Sequence, residues 1–139
     1  MKLVYADASY WIALLHPKDK LHNLAKRESK TLKEARIVTS EMILSEVLNS
    51  LAKYGKNIRN AAVQFIHKIN KNPNVDIVPQ TSLQFQKAVD YYSKRNDKQW
   101  GLTDCASFII MEEKGIKEVL TSDHHFKQAG FKILIPGNN

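Results

Sequence analysis

Gly101-Leu102-Thr103-Asp104-Cys105-Ala106-Ser107-Phe108-Ile109-Ile110-Met111 predicts a buried helix, because only Ser107 is polar after Asp104 and a helix that is apolar on nearly every side is buried. Gly101 breaks the chain before it. Thr103 is a good N-cap, since its hydroxyl can accept from the free N–H groups of a first turn. Asp104 then lies in that turn, where the helix dipole favours the carboxylate over the neutral acid. Asp104 is therefore either a capping residue alone or a rigidly held metal ligand.

The composition is that of a folded, basic domain. The chain has 139 residues, of which 43% are hydrophobic, so a single domain over 1–139 with a proper core is expected. The formal net charge is +7. An excess of Lys and Arg favours a polyanionic partner such as nucleic acid, without proving one.

The sequence indicates a cytoplasmic protein that has no contact with a membrane. No apolar run approaches the roughly 18 residues of a membrane span. Asp7 comes too early for the apolar region of a signal peptide. Cys105 is the only cysteine, so an internal disulfide is excluded, and its apolar surroundings indicate a small core residue.

Short apolar runs alternate with helical patterns along the chain. Strands are predicted over residues 2–6, 37–39, 75–78, 119–121 and 133–135. Helices are predicted over 10–15, 21–33, 41–54, 58–69 and from 81 or 82 to about 95, with Ser9 and Ser40 as caps. This order predicts a three-layer α/β/α fold, with a mainly parallel sheet of four to five strands.

Two acidic residues, Asp7 and Asp123, follow predicted strands, and ligands of such sheets bind outside the carboxyl ends of the strands. If the helix of Asp104 runs antiparallel to the strands, its first turn points at the same edge. Carboxylates that converge need a proton, a basic partner or a divalent cation. Oxygen ligands select Mg²⁺ or Mn²⁺, and such an ion can activate water against a phosphodiester. A helical wheel does not choose between Glu41 and Glu46 as a fourth acid, and a solvated glutamate is the stronger interpretation of either.

Four segments resemble the motifs of PIN-domain ribonucleases, and more closely those of VapC-type toxins from bacterial or archaeal toxin–antitoxin pairs. The segments are Val4-Tyr5-Ala6-Asp7-Ala8-Ser9, Thr39-Ser40-Glu41-Met42-Ile43-Leu44-Ser45-Glu46-Val47, Leu102-Thr103-Asp104-Cys105-Ala106-Ser107-Phe108 and Thr121-Ser122-Asp123-His124-His125-Phe126. The resemblance runs the length of the chain. One departure is Ala8, where many members carry Thr or Ser.

The resemblance implies a PIN-like fold and a Mg²⁺- or Mn²⁺-dependent endoribonuclease that cuts structured RNA such as tRNA or ribosomal RNA. It assigns metal binding and orientation of the attacking water to four acids, Asp7, Glu46, Asp104 and Asp123. Ser9 would hydrogen-bond within the same pocket. The resemblance also implies a homodimer and a cognate VapB-like antitoxin chain that blocks the site.

Two other functions compete with this one. A non-catalytic PIN-like module that binds RNA or protein is disfavoured, because such a module has no need to keep four acids. A phosphohydrolase with Asp7 as nucleophile usually has a second Asp two residues on, where this chain has Ser9.

Three further residues near the motifs invite a role. His124 and His125 adjoin Asp123, but adjacent residues diverge in direction, so both are not expected to serve one ion, and a contact with an RNA phosphate is favoured over metal ligation. Trp100 either stacks on a base or packs beside the core helix.

Overall fold

The computed structural model describes residues 2–136. Its strands are β1 Leu3–Ala6, β2 Arg36–Ser40, β3 Val75–Val78, β4 Glu118–Leu120 and β5 Lys132–Ile133. Its α-helices are α1 Ala8–Leu15, α2 His22–Thr31, α3 Glu41–Leu51, α4 Lys56–Lys71, α5 Ser82–Lys94, α6 Leu102–Lys114 and α7 His124–Gln128. A 3₁₀ turn, Ala52–Tyr54, continues α3, and Gly55 follows it with a φ of +93° that favours glycine.

The five strands form one parallel sheet in the order β3-β2-β1-β4-β5. One group of helices, α1 to α4, packs together, and a second group consists of α5, α6 and α7. The helices cover both sides of the sheet. The predicted α/β class, its three layers and the parallel sheet of four to five strands are therefore confirmed.

The direction in which strands are added changes between β1 and β4. From β1 to β3 each new strand lies on the same side of its predecessor, whereas β4 returns to the free edge of β1 and β5 extends that side. Such a reversal leaves a crevice outside the carboxyl ends of the two strands. Asp7 follows β1 directly at this crevice, and residues 121–123 follow β4.

The helix α1 begins one residue earlier than its predicted cap. Asp7 occupies the N-cap position, and Ser9 lies inside the first turn. Ser9 is not the cap because its hydroxyl is bonded to the segment after β4. Ser40 does cap α3, as predicted, since its Oγ accepts from the backbone N–H of Ile43 at 3.1 Å.

The helix α6 begins at Leu102, so the prediction of Thr103 as N-cap is wrong. Gly101 occupies the cap position. Its backbone N–H donates to Oδ2 of Asp104 at 3.0 Å, and the carboxylate of the third helical residue thereby satisfies the donor at the helix start. This helix is nevertheless the predicted core helix, because Cys105 and most residues up to Met111 are buried.

A buried hydroxyl cluster explains the single polar residue in the apolar part of α6. Tyr5 is fully buried on β1, and its hydroxyl lies 2.8 Å from Oγ of Ser107. The same hydroxyl donates to Oγ of Ser40 at 3.4 Å. Tyr5 thus connects β1 with α6 and with the end of β2, which fixes these three elements directly beneath the crevice.

No helix among residues 2–136 combines the length and the apolar composition that crossing a bilayer requires.

Replacing Tyr5 by Phe is expected to lower the free energy of unfolding by about 1 to 2 kcal/mol, because the buried hydroxyl of Ser107 loses its partner on β1. Urea unfolding followed by circular dichroism measures the change. Tyr54→Phe is the matched control. Tyr54 is 44% exposed, and a change of less than about 0.5 kcal/mol is expected there. Equal effects of the two substitutions would contradict the role assigned to Tyr5.

Candidate active site

Three aspartates lie together in the crevice beyond β1 and β4. Asp7 follows β1, Asp123 is the N-cap of α7, and Asp104 lies in the first turn of α6. Nδ1 of His125 lies 3.2 Å from Oδ2 of Asp104 and 3.4 Å from Oδ1 of Asp123. The charges of Asp104 and Asp123 both act on Asp7. The start of α6 therefore does point at the carboxyl edge of the sheet.

The hydroxyl of Thr121 organises this crevice. Thr121 is fully buried, and its Oγ1 donates to Oδ2 of Asp7 at 2.7 Å. The same oxygen accepts from the backbone N–H of Asp123 at 3.0 Å. It also lies 3.0 Å from Oγ of Ser9. Since its one proton goes to Asp7, Ser9 is the donor of that last bond, and the hydroxyl of Thr121 is fully satisfied.

Thr121 was predicted to lie in a strand and belongs to the last acidic motif, but no role was predicted for it. The sequence could have predicted a role for Thr121. A hydroxyl at the carboxyl end of a strand, two residues before an aspartate, can bond to the next backbone N–H groups. Ser9 was assigned to the pocket, and its oxygen also accepts from the backbone N–H of Ser122 at 3.3 Å.

Burial, together with the charges of Asp104 and Asp123, raises the pKa of Asp7 from its ordinary value of 3.8 to about 7. Hydrogen bonds from Thr121 and from the backbone of Ala8 oppose that rise. Asp7 is only 7% exposed, so water does little to stabilise the charge of its carboxylate.

The helix start does not by itself set the pKa of Asp104. Burial raises the pKa of Asp104, and Asp123 adds to this effect. The N–H of Gly101 and the ring of His125 lower it, but by less. Loss of hydration and a neighbouring like charge therefore outweigh the start of the helix.

The structure separates the two glutamates that the helical wheel left equivalent. Glu46 faces the crevice: partial burial and the charge of Asp104 raise its pKa, while a hydrogen bond from Thr103 lowers it. Glu46 is exposed as a whole residue, so only its carboxyl end is partly desolvated. Glu41 instead accepts through Oε1 from the backbone N–H of Gln80 at 2.6 Å, away from the aspartates.

The expectation that His124 and His125 diverge is wrong. Their ring centroids are 4.5 Å apart, and both Nδ1 atoms face Oδ1 of Asp123, at 3.8 and 3.4 Å. The reason is local: both residues lie in the first turn of α7, where side chains lean back toward the helix start. Asp123 caps that turn by accepting from the backbone N–H of His125 at 2.9 Å.

Trp100 packs rather than offering a face for a base. It is 5% exposed, its ring meets Phe108 edge-on at 4.9 Å between centroids, and its Nε1 donates to Gln128 at 3.0 Å. The guanidinium of Arg95 lies 4.6 Å from the ring centroid. Trp100 thereby joins the start of α6 to α7, and so steadies Asp104 against the aspartate that caps α7.

The donor set of this crevice fits a hard divalent cation. Four carboxyl groups face it, Asp7, Glu46, Asp104 and Asp123, and the pKa is raised for Asp7, Glu46 and Asp104. Carboxyl groups whose charge is destabilised by burial and by each other are stabilised by a nearby positive ion. Oxygen ligands of this kind suit Mg²⁺ and Mn²⁺.

Comparisons of sequence and of structure with known proteins point to the same family. The family model of the PIN domain matches residues 4–132. The chain is 26% identical over 137 residues to the 23S rRNA-specific endonuclease VapC20 of Mycobacterium tuberculosis, which covers 96% of this chain and 99% of that protein. The crystal structure of VapC20, a sarcin-ricin loop cleaving toxin, superposes with a TM-score of 0.84 at the same identity and over the same shares.

Two more distant solved structures share the fold alone. VapBC2 from Rickettsia felis, bound to a DNA fragment from its promoter, has a TM-score of 0.66 at 10% identity, over 94% of this chain and 96% of that one. FitAcB from Neisseria gonorrhoeae has a TM-score of 0.60 at 15% identity, over 94% and 95%. The family match covers nearly all of the described residues, and the acids lie at the crevice where the strand order reverses. This chain therefore belongs to the PIN-domain family.

Proposed function

We propose that this chain is a metal-dependent endoribonuclease that hydrolyses phosphodiester bonds in structured RNA, and that it is the toxin of a type II toxin–antitoxin pair. The observation that carries the proposal is that four carboxyl groups face the crevice beyond β1 and β4, in a chain that is strongly basic. The likeness to VapC20, a 23S rRNA-specific endonuclease, supports ribosomal RNA or tRNA as the substrate class.

The proposed catalytic residues are the ones that would hold Mg²⁺ or Mn²⁺, namely Asp7, Glu46, Asp104 and Asp123. When bound, such an ion activates a water and stabilises the leaving oxygen. The protein's own part is orientation: Thr121 fixes Asp7, Gly101 fixes Asp104, and the backbone of α7 fixes Asp123. Ser9 supports this arrangement through Thr121.

Positive charge next to the crevice supports an RNA substrate. A pocket of about 380 Å³ adjoins the start of α6 and is lined by Tyr92, Arg95, Asn96, Lys98, Gln99, Trp100 and Gly101. Lys98 there can attract a phosphate that flanks the bond to be cut, whereas Arg95 is paired with Asp97 at 3.0 Å. The ion offsets the repulsion at the acids themselves.

The proposed partners are a VapB-like antitoxin chain and a second copy of this chain, in the cytoplasm. The VapBC2 structure with promoter DNA supports a two-component pair. A homodimer is supported by an apolar stripe on α5, formed by Phe85, Val89 and Tyr92, which are exposed at helical spacing.

The competing binding-module function is disfavoured by the cost of the crevice. A site that only binds RNA gains nothing from burying Asp7 among like charges, which destabilises the folded protein. The phosphohydrolase alternative is disfavoured because Ser9, two residues after Asp7, is bonded to Thr121 and supplies no second carboxylate.

Asp104→Asn is expected to reduce cleavage of a pool of structured RNAs at least about 100-fold in Mn²⁺ or Mg²⁺, because it removes a ligand charge but keeps the side chain's shape. Gel assays of the wild type with and without EDTA, next to the variant, measure this. Asp90→Asn is the matched control, since Asp90 is an exposed aspartate on α5. Equal cutting by wild type and Asp104→Asn would remove Asp104 from the site. RNA binding without cutting by the wild type would favour the binding module.

Asp7→Asn is expected to raise the free energy of unfolding of the metal-free protein, relative to wild type, by more at pH 8 than at pH 5. Folded Asp7 keeps its proton up to about pH 7, whereas the unfolded chain loses it near its ordinary value of 3.8. The folded state therefore binds the extra proton between these values, so the wild type's free energy of unfolding falls as pH rises through this window. The variant does not lose this stability. The stability difference between variant and wild type should therefore change by on the order of 2 kcal/mol between the two pH values.

Urea unfolding in EDTA at pH 5 and pH 8 measures this difference. Asp90→Asn, the control, is expected to show the same small effect at both pH values. A stability difference between Asp7→Asn and wild type that does not change with pH would show that the pKa of Asp7 is not raised.

A further inference from the structure

His125 lies where a ligand of a divalent ion belongs. Its Nδ1 is 3.2 Å from Oδ2 of Asp104 and 3.4 Å from Oδ1 of Asp123. Ligand atoms that bind one tetrahedral or octahedral ion at about 2.0 to 2.2 Å lie roughly 3.0 to 3.4 Å from one another. The nitrogen thus stands at the spacing of a neighbouring ligand from each of the two carboxylates.

The two carboxylates are oriented by backbone contacts before any ion binds. The N–H of Gly101 holds Oδ2 of Asp104 at 3.0 Å, and the N–H of His125 holds Oδ1 of Asp123 at 2.9 Å. The next residue, Phe126, is fully buried and anchors α7 in the core. Little side-chain freedom remains to be lost on binding, because the His125 side chain is only 22% exposed.

His124 differs from its neighbour in each of these respects. Its side chain is 72% exposed, and its Nδ1 lies 3.8 Å from Oδ1 of Asp123. The ion pairs of the described residues connect Asp104 with His125 and not with His124. Asp123, His124 and His125 lie close enough together to share one ion, so the two histidines form a matched pair whose ligation one experiment can tell apart.

We propose that Nδ1 of His125 is a nitrogen ligand of the divalent ion held by Asp104 and Asp123, so that the site selects Mn²⁺ over Mg²⁺. This inference rests on the proposed function. Its chemical basis is that Mg²⁺ keeps oxygen ligands and several waters, whereas imidazole suits transition metals, whose affinity for such sites rises from Mn²⁺ onward. The four acids alone would form an all-oxygen site, and the imidazole changes its preference.

Pulsed EPR of Mn²⁺ bound to the otherwise metal-free protein tests the ligand directly, because a coordinated imidazole couples its ¹⁴N nucleus to the ion. We expect this coupling in the wild type and in His124→Asn, and its loss in His125→Asn. The Mn²⁺ dissociation constant is expected to rise at least about tenfold in His125→Asn. The Mg²⁺ constant, measured by competition with Mn²⁺, is expected to change much less, because Mg²⁺ gains little from nitrogen.

The choice of Asn separates ligation from hydrogen bonding. Nδ1 can bind the ion only without a proton, and the Asn amide can replace its hydrogen bond to Asp104 but offers no imidazole nitrogen. Thermal unfolding checks that the variant folds, and His125→Gln replaces it if it does not. The wild-type spectrum does not depend on either variant.

Each outcome bears on the inference in a defined way. Mn²⁺ that binds the wild type without nitrogen coupling overturns it and leaves the proposed function with an all-oxygen site. Coupling that is lost in His124→Asn and kept in His125→Asn also overturns it. If Mn²⁺ does not bind the wild type at all, both the inference and the metal dependence of the proposed function fail.

Discussion

The hydrogen bond from Thr121 to Asp7 joins the ends of β1 and β4, the two strands between which the sheet reverses its order. The same hydroxyl accepts from Ser9 and from the backbone of Asp123. One buried oxygen therefore sets the relative positions of the first and last motifs. A parallel sheet brings the strand ends to one edge, but only such a contact fixes the side chains beyond them closely enough to share an ion.

The buried acids of the crevice lower the stability of the fold, and the packed core beneath them offsets this loss. Burying Asp7 next to other acids opposes folding at neutral pH when no cation is present. Directly below, the fully buried Tyr5 links β1 to α6 through Ser107, and Phe108 packs edge-on against both Trp100 and Phe126. Rigid aromatic packing thus holds like charges together that would otherwise move apart.

The sequence predicted the features that depend on local pattern. Alternating apolar runs predicted the parallel sheet, and the position of Asp7 after a strand predicted its place at the ligand edge. Features that depend on contacts between distant residues were missed or wrong, such as the cap of α6 and the common direction of the two histidines. Glu46 was chosen over Glu41 by resemblance alone, because what separates them is the bond of Glu41 to Gln80, a residue far along the chain.

The central strand β1 is synthesised before its neighbour β4, and β2, β3 and six α-helices lie between them in sequence. Until β4 emerges from the ribosome, β1 has one open edge and the crevice lacks Asp123, Thr121 and His125 together. A nascent chain that ends before β4 therefore has β1 to β3 but lacks part of the acidic crevice. Translation itself delays the assembly of the acidic crevice until β4 and the residues after it have been made, so a chain cut before β4 has an unpaired edge on β1 and lacks Asp123.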